Sequence, residues 1–176
     1  NSGAVSALRS LLGNSDNIVV FTGAGISTES GIPDFRGPNG IWKSMTPIDF
    51  HDFVSSESVR RESWSRKFNG DRTMASALPN TGHQIISTLV DMGKVTAVIT
   101  QNVDGLHQLS GTPDDIVIEL HGNASYATCL DCGKRFELET IEGPFLAEGV
   151  IPYCDDCNGI IKTATITFGQ PMPILK

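Results

Sequence analysis

The apolar positions of this chain fall into two kinds of run. Short, continuous, β-branched stretches alternate with segments whose apolar residues recur every three or four positions. IVVFT (18–22), VTAVIT (95–100) and IVIEL (116–120) are of the first kind. Such uninterrupted runs read as strands covered on both faces. TATITF (163–168) reads as a fourth strand. Of the second kind, Ala4, Leu8, Leu11 and Leu12 share one helical face, which Gly13-Asn14 closes. Helices are expected over 47–54 and 57–69, the second amphipathic and highly charged. Asn80 is placed to cap a helix carrying Ile85, Ile86, Leu89 and Val90, which Gly93 ends. Residues 23–46 hold seven Gly and Pro and read as a long loop with one helical turn. Strands that alternate with helices predict an α/β fold built on a parallel, doubly wound, Rossmann-like sheet. Four strands leave that sheet incomplete against the roughly six of the full arrangement. The segment between the third and fourth strands holds all four cysteines and reads as an inserted zinc-ribbon-like lobe. The expected division is a partial nucleotide-binding domain over 1–124 and 163–176 with a zinc lobe over 125–162.

Composition narrows the function. Of the 176 residues, 39% are hydrophobic and 19% charged, which is ordinary for a globular chain. Thirteen basic against twenty acidic residues give a net charge of −7, and no more than two Lys or Arg are adjacent. No electrostatic footprint for nucleic acid is present. No apolar run approaches the ~20 residues of a membrane span, and the start lacks the features of a secretory signal. The chain opens on Asn1 rather than Met, so its first residue is read as not the natural one. Cysteines confined to two close pairs point to a reducing compartment, the cytoplasm, or the nucleus in a eukaryote.

Candidate chemistry gathers at the strand ends. GAGISTESGIPDFRG (23–37) follows the first strand and begins like a dinucleotide fingerprint, but Thr28 stands where G-x-G-x-x-G needs its third glycine. No acidic residue ends a second strand about 20 residues on, so the ordinary hydride-transfer reading fails. A tight Gly-Ala-Gly turn at a strand's C-terminal end still suits phosphate. Asp34, Phe35 and Arg36 add a carboxylate, an aromatic wall and a guanidinium beside it. Phe35 packed inward with Asp34 and Arg36 paired to each other is the plainer alternative. After the second strand come Gln101, Asn102 and Asp104, groups suited to a carboxamide and to ribose hydroxyls, or to nothing more than an Asx-turn. His121 ends the third strand before Gly122 and is favoured as a base. His51, His83 and His107 read as structural, and Trp42 and Trp64 as core or pocket lining. Cys129, Cys132, Cys154 and Cys157 form CxxC…CxxC with 21 residues between the pairs, the pattern of a closed, structural four-thiolate zinc site.

GAGIS…GIPDFRG, TQNVDGLH, the His121-Gly122 pair and the two CxxC pairs, in this order, resemble the sirtuins, NAD-dependent protein lysine deacylases. The likeness extends through GPNGIW (37–42), PNTGH (79–83) and FGQPMP (168–173). It implies that Gly23, Ala24 and Gly25 hold the pyrophosphate, with NAD contacts from Ala24, Thr28, Phe35, Arg36, Gln101, Val103 and Asp104. Ser27 and Asn102 would lie near the ribose, and Asp34 would seat the nicotinamide. The implied reaction releases nicotinamide when an acyl-lysine oxygen attacks the ribose. His121 then deprotonates a ribose hydroxyl, and 2′-O-acyl-ADP-ribose forms, with Asn102 as the second catalytic residue. The implied partners are NAD and an acyl-lysine protein or peptide, with neither nucleic acid nor membrane. ADP-ribosyl transfer or NAD hydrolysis would use the same pocket, and a non-catalytic zinc-lobe module is the alternative of another class. KTATITFGQ (162–170) departs from the family's usual segment beside the peptide substrate, and neither Tyr126 nor Tyr153 begins the Tyr-x-x-Arg pair associated with acidic acyl groups, so a simple acetyl-like group is the expected acyl. Family members continue past the equivalent of Lys176 with further strands that hold the adenosine half, so a fragment or a truncation is expected.

Overall fold

The computed structural model describes residues 2–35, 37, 40, 43, 45–69 and 73–172; Arg36 and Trp42 lie outside the described residues. Helix α1 (Ser2–Gly13) leads into strand β1 (Ile18–Thr22). Strands β2 (Val95–Thr100) and β3 (Val117–Glu119) complete a parallel sheet of order β1-β2-β3. Thr22 lies opposite Thr100, and Thr100 opposite Glu119, so the three strands end level.

The path from β1 to β2 runs through a 3-10 helix (Ala24–Ser30), α2 (Phe50–Ser55), α3 (Glu57–Asn69), α4 (Thr73–Ser76) and α5 (Thr81–Asp91). The long loop thus holds more helix than its Gly and Pro content suggests. Helix α5 begins where its cap predicts: the Gly82 N–H donates to Asn80 Oδ1 at 2.8 Å, and the Asn80 N–H to His83 Nδ1. Its Ile86, Leu89 and Val90 close one face of the sheet over Ile18, Val20, Val95 and Val98.

Two expectations about burial fail. β1 is not covered on both faces, because Val19 and Phe21 are 56% and 60% exposed. The α1 face is likewise open, with Leu8 and Leu11 exposed. A periodic pattern says which residues share a face and nothing of what lies against it. No helix covers the Val19–Phe21 face among the described residues.

The fourth strand also departs from expectation. Strand β6 (Ile161–Thr165) is not in the parallel sheet; it pairs antiparallel with β4 (Gly122–Cys129), which pairs in turn with β5 (Arg135–Glu137). The cysteines explain the direction. Cys129 ends β4 opposite Ile161 at the start of β6, so convergence of the two CxxC pairs closes both strands at one end. This second sheet carries helix α7 (Leu138–Glu148) and has a core of its own. Trp64 and Phe68 of α3, stacked at 5.5 Å, pack with Ala127, Cys129, Ile141, Phe145, Cys154 and Ile161. Two buried cations flank the neighbouring Phe53. Arg60 donates to the carbonyls of Phe53 and Val54, capping α2, and to the Tyr153 hydroxyl. Lys162 donates to the carbonyls of Thr163 and Thr165 and lies 6.0 Å from the Phe53 ring, and burial pushes its pKa down to about 8.

Below the parallel sheet's C-terminal end, His83 of α5 meets His107 of the short helix α6 (Leu106–Leu109). The rings are edge to face with centroids 5.0 Å apart, and both side chains are fully buried. Burial lowers the His107 pKa to about 4; His83 adds to the shift and the Asp104 carboxylate opposes it. Burial lowers His83 as well, again against Asp104. The unfolded chain therefore takes up protons below about 6.5 that the folded chain refuses. Stability from this pair is complete above pH 6.5 and falls as pH drops towards 4. Urea unfolding between pH 7.5 and 4.5 should show a decline of at most about 1.4 kcal/mol per pH unit for each imidazole. The slope should flatten in His107→Gln; an unchanged slope would remove His107 as its source.

Candidate functional site

The level ends of the three strands set out the site. β1 ends at Thr22, and Gly23 turns the chain into a 3-10 helix whose tight winding brings Ser27 inward, to 1% exposure, while Gly25 and Thr28 stay outward and Ala24 is half-buried. Gly31, at φ 87°, reverses the chain by a left-handed turn that a side chain would strain. Asn80 holds this helix from α5, donating through Nδ2 to Ile26 O at 2.7 Å and Ser30 Oγ at 2.9 Å. The returning segment carries Asp34, whose Oδ1 accepts from the Gly37 N–H at 2.8 Å, and the partly exposed Phe35. Arg36, the third member of that predicted group, lies outside the described residues.

After β2, the Gln101 N–H continues the ladder to Thr22 O at 3.0 Å, and the Gln101 side chain lies beside Gly23. Asn102, 7% exposed, donates through Nδ2 to Ser27 Oγ at 3.0 Å, and the Ser27 hydroxyl donates to Asp104 Oδ2 at 2.7 Å. The other Asp104 oxygen accepts from the Leu106 N–H and opens α6. Val103 O accepts from the Ala124 N–H at 2.8 Å, tying this loop to β4. The fold thus joins Ser27, Asn102 and Asp104, residues 75 or more apart in sequence where they cross between loops, in one hydrogen-bonded group.

His121 follows β3 on the same rim. Its Nδ1 lies 2.8 Å from Gln101 O. A carbonyl oxygen only accepts, so Nδ1 carries the proton and Nε2 presents a lone pair. Gly122 is required beside it: at φ 72°, a Cβ would sit 1.9 Å from Ala164 O of β6. At the end of β3, one oxygen of Glu119 accepts from Gln108 Nε2 at 2.8 Å and Asn123 Nδ2 at 2.7 Å, and burial raises that carboxyl's pKa. A cavity of about 510 Å³ in the second sheet's region, with Phe136 and Tyr153 in its wall, includes none of these rim residues. The rim residues lie instead at the C-terminal ends of the parallel strands, with Ser27 and Asn102 buried and Asp104 and His121 partly exposed.

Cys129, Cys132, Cys154 and Cys157 converge so that their sulfurs all lie within 4.8 Å of one another. Each pair sits on a turn: the Gly133 N–H donates to Cys129 O and the Asn158 N–H to Cys154 O, with Gly133 and Asn158 at positive φ. Lys134 clamps the two turns together by pairing with Asp155 and Asp156. Crowding separates the thiols. The Cys132 N–H lowers Cys129 to about 7, whereas Cys157, despite the Gly159 N–H that favours its thiolate, is pushed up to about 12 by Cys129 and Cys132. Four thiolates cannot share that volume without a cation, and four sulfurs are a donor set suited to a tetrahedral ion.

Sequence reasoning passed over Thr22, Thr100 and Glu119 and set His83 and His107 aside as structural. The contacts that join Thr22 to Thr100 and His107, and His83 to His107, cross distant segments. Only the position of Thr22 and Thr100 as the last residues of two apolar strands pointed to them.

A family model described as Sir2 family matches residues 23–176. An NAD-dependent protein deacetylase of Rhodopseudomonas palustris is 49% identical over 98% of this chain and 68% of its own length. NAD-dependent protein deacetylase 1 of Bradyrhizobium diazoefficiens is 50% identical over 96% of this chain and 66% of its own. A solved Sir2 structure with a p53 peptide and NAD+ superposes with a TM-score of 0.80 at 39% identity, over 95% of this chain and 65% of that one. The chain thus spans about two thirds of the length of these relatives. The family match runs through the glycine turn, the strand-end polar groups and both cysteine pairs, and the chain belongs to the Sir2 family.

Proposed function

We propose that the protein carrying this chain removes acyl groups, acetyl foremost, from protein lysine at the expense of NAD. The observation that carries this reading is the pairing of His121 Nδ1 with Gln101 O on the rim that holds Ser27, Asn102 and Asp104. That pairing leaves Nε2 as a base beside a cluster suited to ribose hydroxyls. NAD supplies an ADP-ribosyl group whose nicotinamide can leave. The chain's residues do the rest. Gly23, Ala24 and Gly25 offer backbone to the pyrophosphate, with Thr28 beside them. Asp34, Phe35 and Arg36 close the nicotinamide end and exclude water. Gln101, Val103 and Asp104 line the ribose side, Asn102 orients its hydroxyls, and His121 Nε2 accepts a hydroxyl proton. The acyl-lysine segment is read as lying along the Thr163–Gln170 stretch, where backbone pairing tolerates side-chain change.

Incubation of the full-length protein with NAD and an acetyl-lysine peptide should give nicotinamide and O-acetyl-ADP-ribose one-for-one with deacetylated peptide by mass spectrometry. His121→Ala should lower that turnover by about 10²–10⁴-fold, the scale of a lost general base, while folding and metal content persist. Nicotinamide release without acyl transfer would reassign the acceptor, and normal turnover in the variant would remove His121 from the mechanism.

The four-cysteine cluster is proposed to hold one structural Zn2+, since four thiolates leave no position open for chemistry. Cys129 and Cys154 belong to the same buried cluster as Trp64 and Phe68. Metal loss should therefore reach the aromatic core. A strong chelator should release one zinc per chain and shift tryptophan emission to the red. The stability at stake is on the order of 10 kcal/mol, and Cys154→Ser should reproduce the loss. Retained structure without metal would overturn a folding role for the site.

A further inference from the structure

Asn102 is held from two directions. Its side chain donates to Ser27, as described, and its peptide N–H donates to Thr100 Oγ1 at 3.0 Å. The second contact is the end of a longer chain. The Thr22 hydroxyl donates to Thr100 Oγ1 at 2.9 Å, and Thr22 Oγ1 also lies 2.9 Å from His107 Nε2. Thr22, Thr100 and His107 are 8%, 3% and 2% exposed, so water does not compete for these groups.

The proton count fixes the direction. A threonine hydroxyl has one hydrogen, and that of Thr22 is committed to Thr100. Thr22 Oγ1 can then only accept from the histidine, so His107 carries its proton on Nε2. That leaves His107 Nδ1 bare, and it is a buried atom with no partner among the described residues. The neighbouring ring complements it. His83 Nδ1 accepts from the Asn80 N–H, so its proton lies on Nε2, which is also buried and without a partner among the described residues. Two rings 5.0 Å apart thus present an orphaned donor and an orphaned acceptor, with the tautomers each requires. Asn80 in turn holds the Ser27 helix through Ile26 and Ser30.

We propose that His107, Thr22 and Thr100 form a directed positioning relay that fixes the Asn102 backbone, so that Asn102 meets the NAD ribose in one orientation. None of the three is a catalytic residue, because none reaches the rim; each acts through Asn102. The proposal rests on the deacetylase reading for its effect on turnover, though not for its geometry. Threonine suits both strand ends for a physical reason. The β-branched methyl packs as valine would, while the Thr22 hydroxyl accepts from His107 and donates to Thr100, and Thr100 Oγ1 accepts from both Thr22 and the Asn102 N–H. Misplacement of a positioning group by about 1 Å costs roughly 10²-fold where reacting atoms must align.

The test uses the full-length protein as wild type, Thr22→Val and Thr22→Ser. Long-range ¹H–¹⁵N spectra of the wild type should show His107 as the Nε2–H tautomer; an Nδ1–H tautomer reverses the chain and overturns the proposal. Amide exchange at Asn102 should be faster in Thr22→Val by about 10-fold or more and close to wild type in Thr22→Ser. In the deacetylation assay, Thr22→Val should lose about 10-fold or more in kcat with peptide KM within about twofold, and the serine variant should recover to within about threefold. Equal behaviour of the two variants, in exchange or in kcat, would reduce Thr22 to a packing residue. Absence of deacetylation in the wild type would sink the functional reading alone, because the tautomer and Asn102 exchange still decide the relay.

Discussion

Everything at the candidate site depends on the register of three parallel strands. Thr22, Thr100 and Glu119 lie level across β1, β2 and β3, so the residues that follow each strand emerge at one edge. The ladder continues one step past the strands, with the Gln101 N–H on Thr22 O and the Leu120 N–H on Thr100 O. That extra step brings Gln101 O within reach of His121 Nδ1. A slip of one residue in β2 would turn Val98 away from the face that α5 closes and bring Ala97 and Ile99 to it. Burial of the sheet's apolar face therefore indirectly sets the tautomer of a histidine on its edge.

The second sheet is not a passive appendage to that edge. β4 begins at Gly122, immediately after His121, and the Ile166 N–H beyond β6 donates to His121 O at 2.7 Å. The cysteine cluster closes the far end of the β4–β6 pair and so determines that β6 returns beside β4. Through β6, the cluster supports the backbone of the candidate base without contacting it. α3 adds a second tie. Its Trp64 and Phe68 fill the core behind β4, and its Lys67 donates to Ala124 O at 2.7 Å, next to the loop contact from Val103.

What the sequence made legible was local. β1 and β2 appear where continuous β-branched runs predict them, α3 spans the expected residues, and the Asn80 cap has its partners. The strand-end polar residues were legible for the same reason, being contiguous with the strands that carry them. Pairing over distance was not. TATITF could be seen as extended, but its partner is fixed by cysteines that meet only in three dimensions. The open faces of β1 and α1 were invisible because periodicity carries no information about a covering layer. Lys162 and Arg60 gave no signal as buried cations, since all the acceptors of Lys162 and two of the three of Arg60 are backbone carbonyls that any sequence supplies. His107 was read as structural, and its burial agrees. Its contact with Thr22 crosses 85 positions of sequence, and no local pattern encodes that.

The missing third glycine at Thr28 now has a structural counterpart. In the G-x-G-x-x-G arrangement an α-helix leaves the turn, and the third glycine lets that helix pack closely on its strand. Here the segment winds instead as a 3-10 helix of seven residues, and Gly31 ends it by reversing the chain. A close helix–strand approach is not made at position 28, where Thr28 faces outward and returns its hydroxyl to Gly25 O at 2.9 Å. Tighter winding turns Ser27 towards Asn102 and Asp104, and the reversal brings Ile32 back against Leu106 at the start of α6. A continuing α-helix would have carried that side chain away at about 1.5 Å per residue. Loss of one glycine and gain of the Asp34–Phe35 segment are thus two consequences of a single change in how the chain leaves β1.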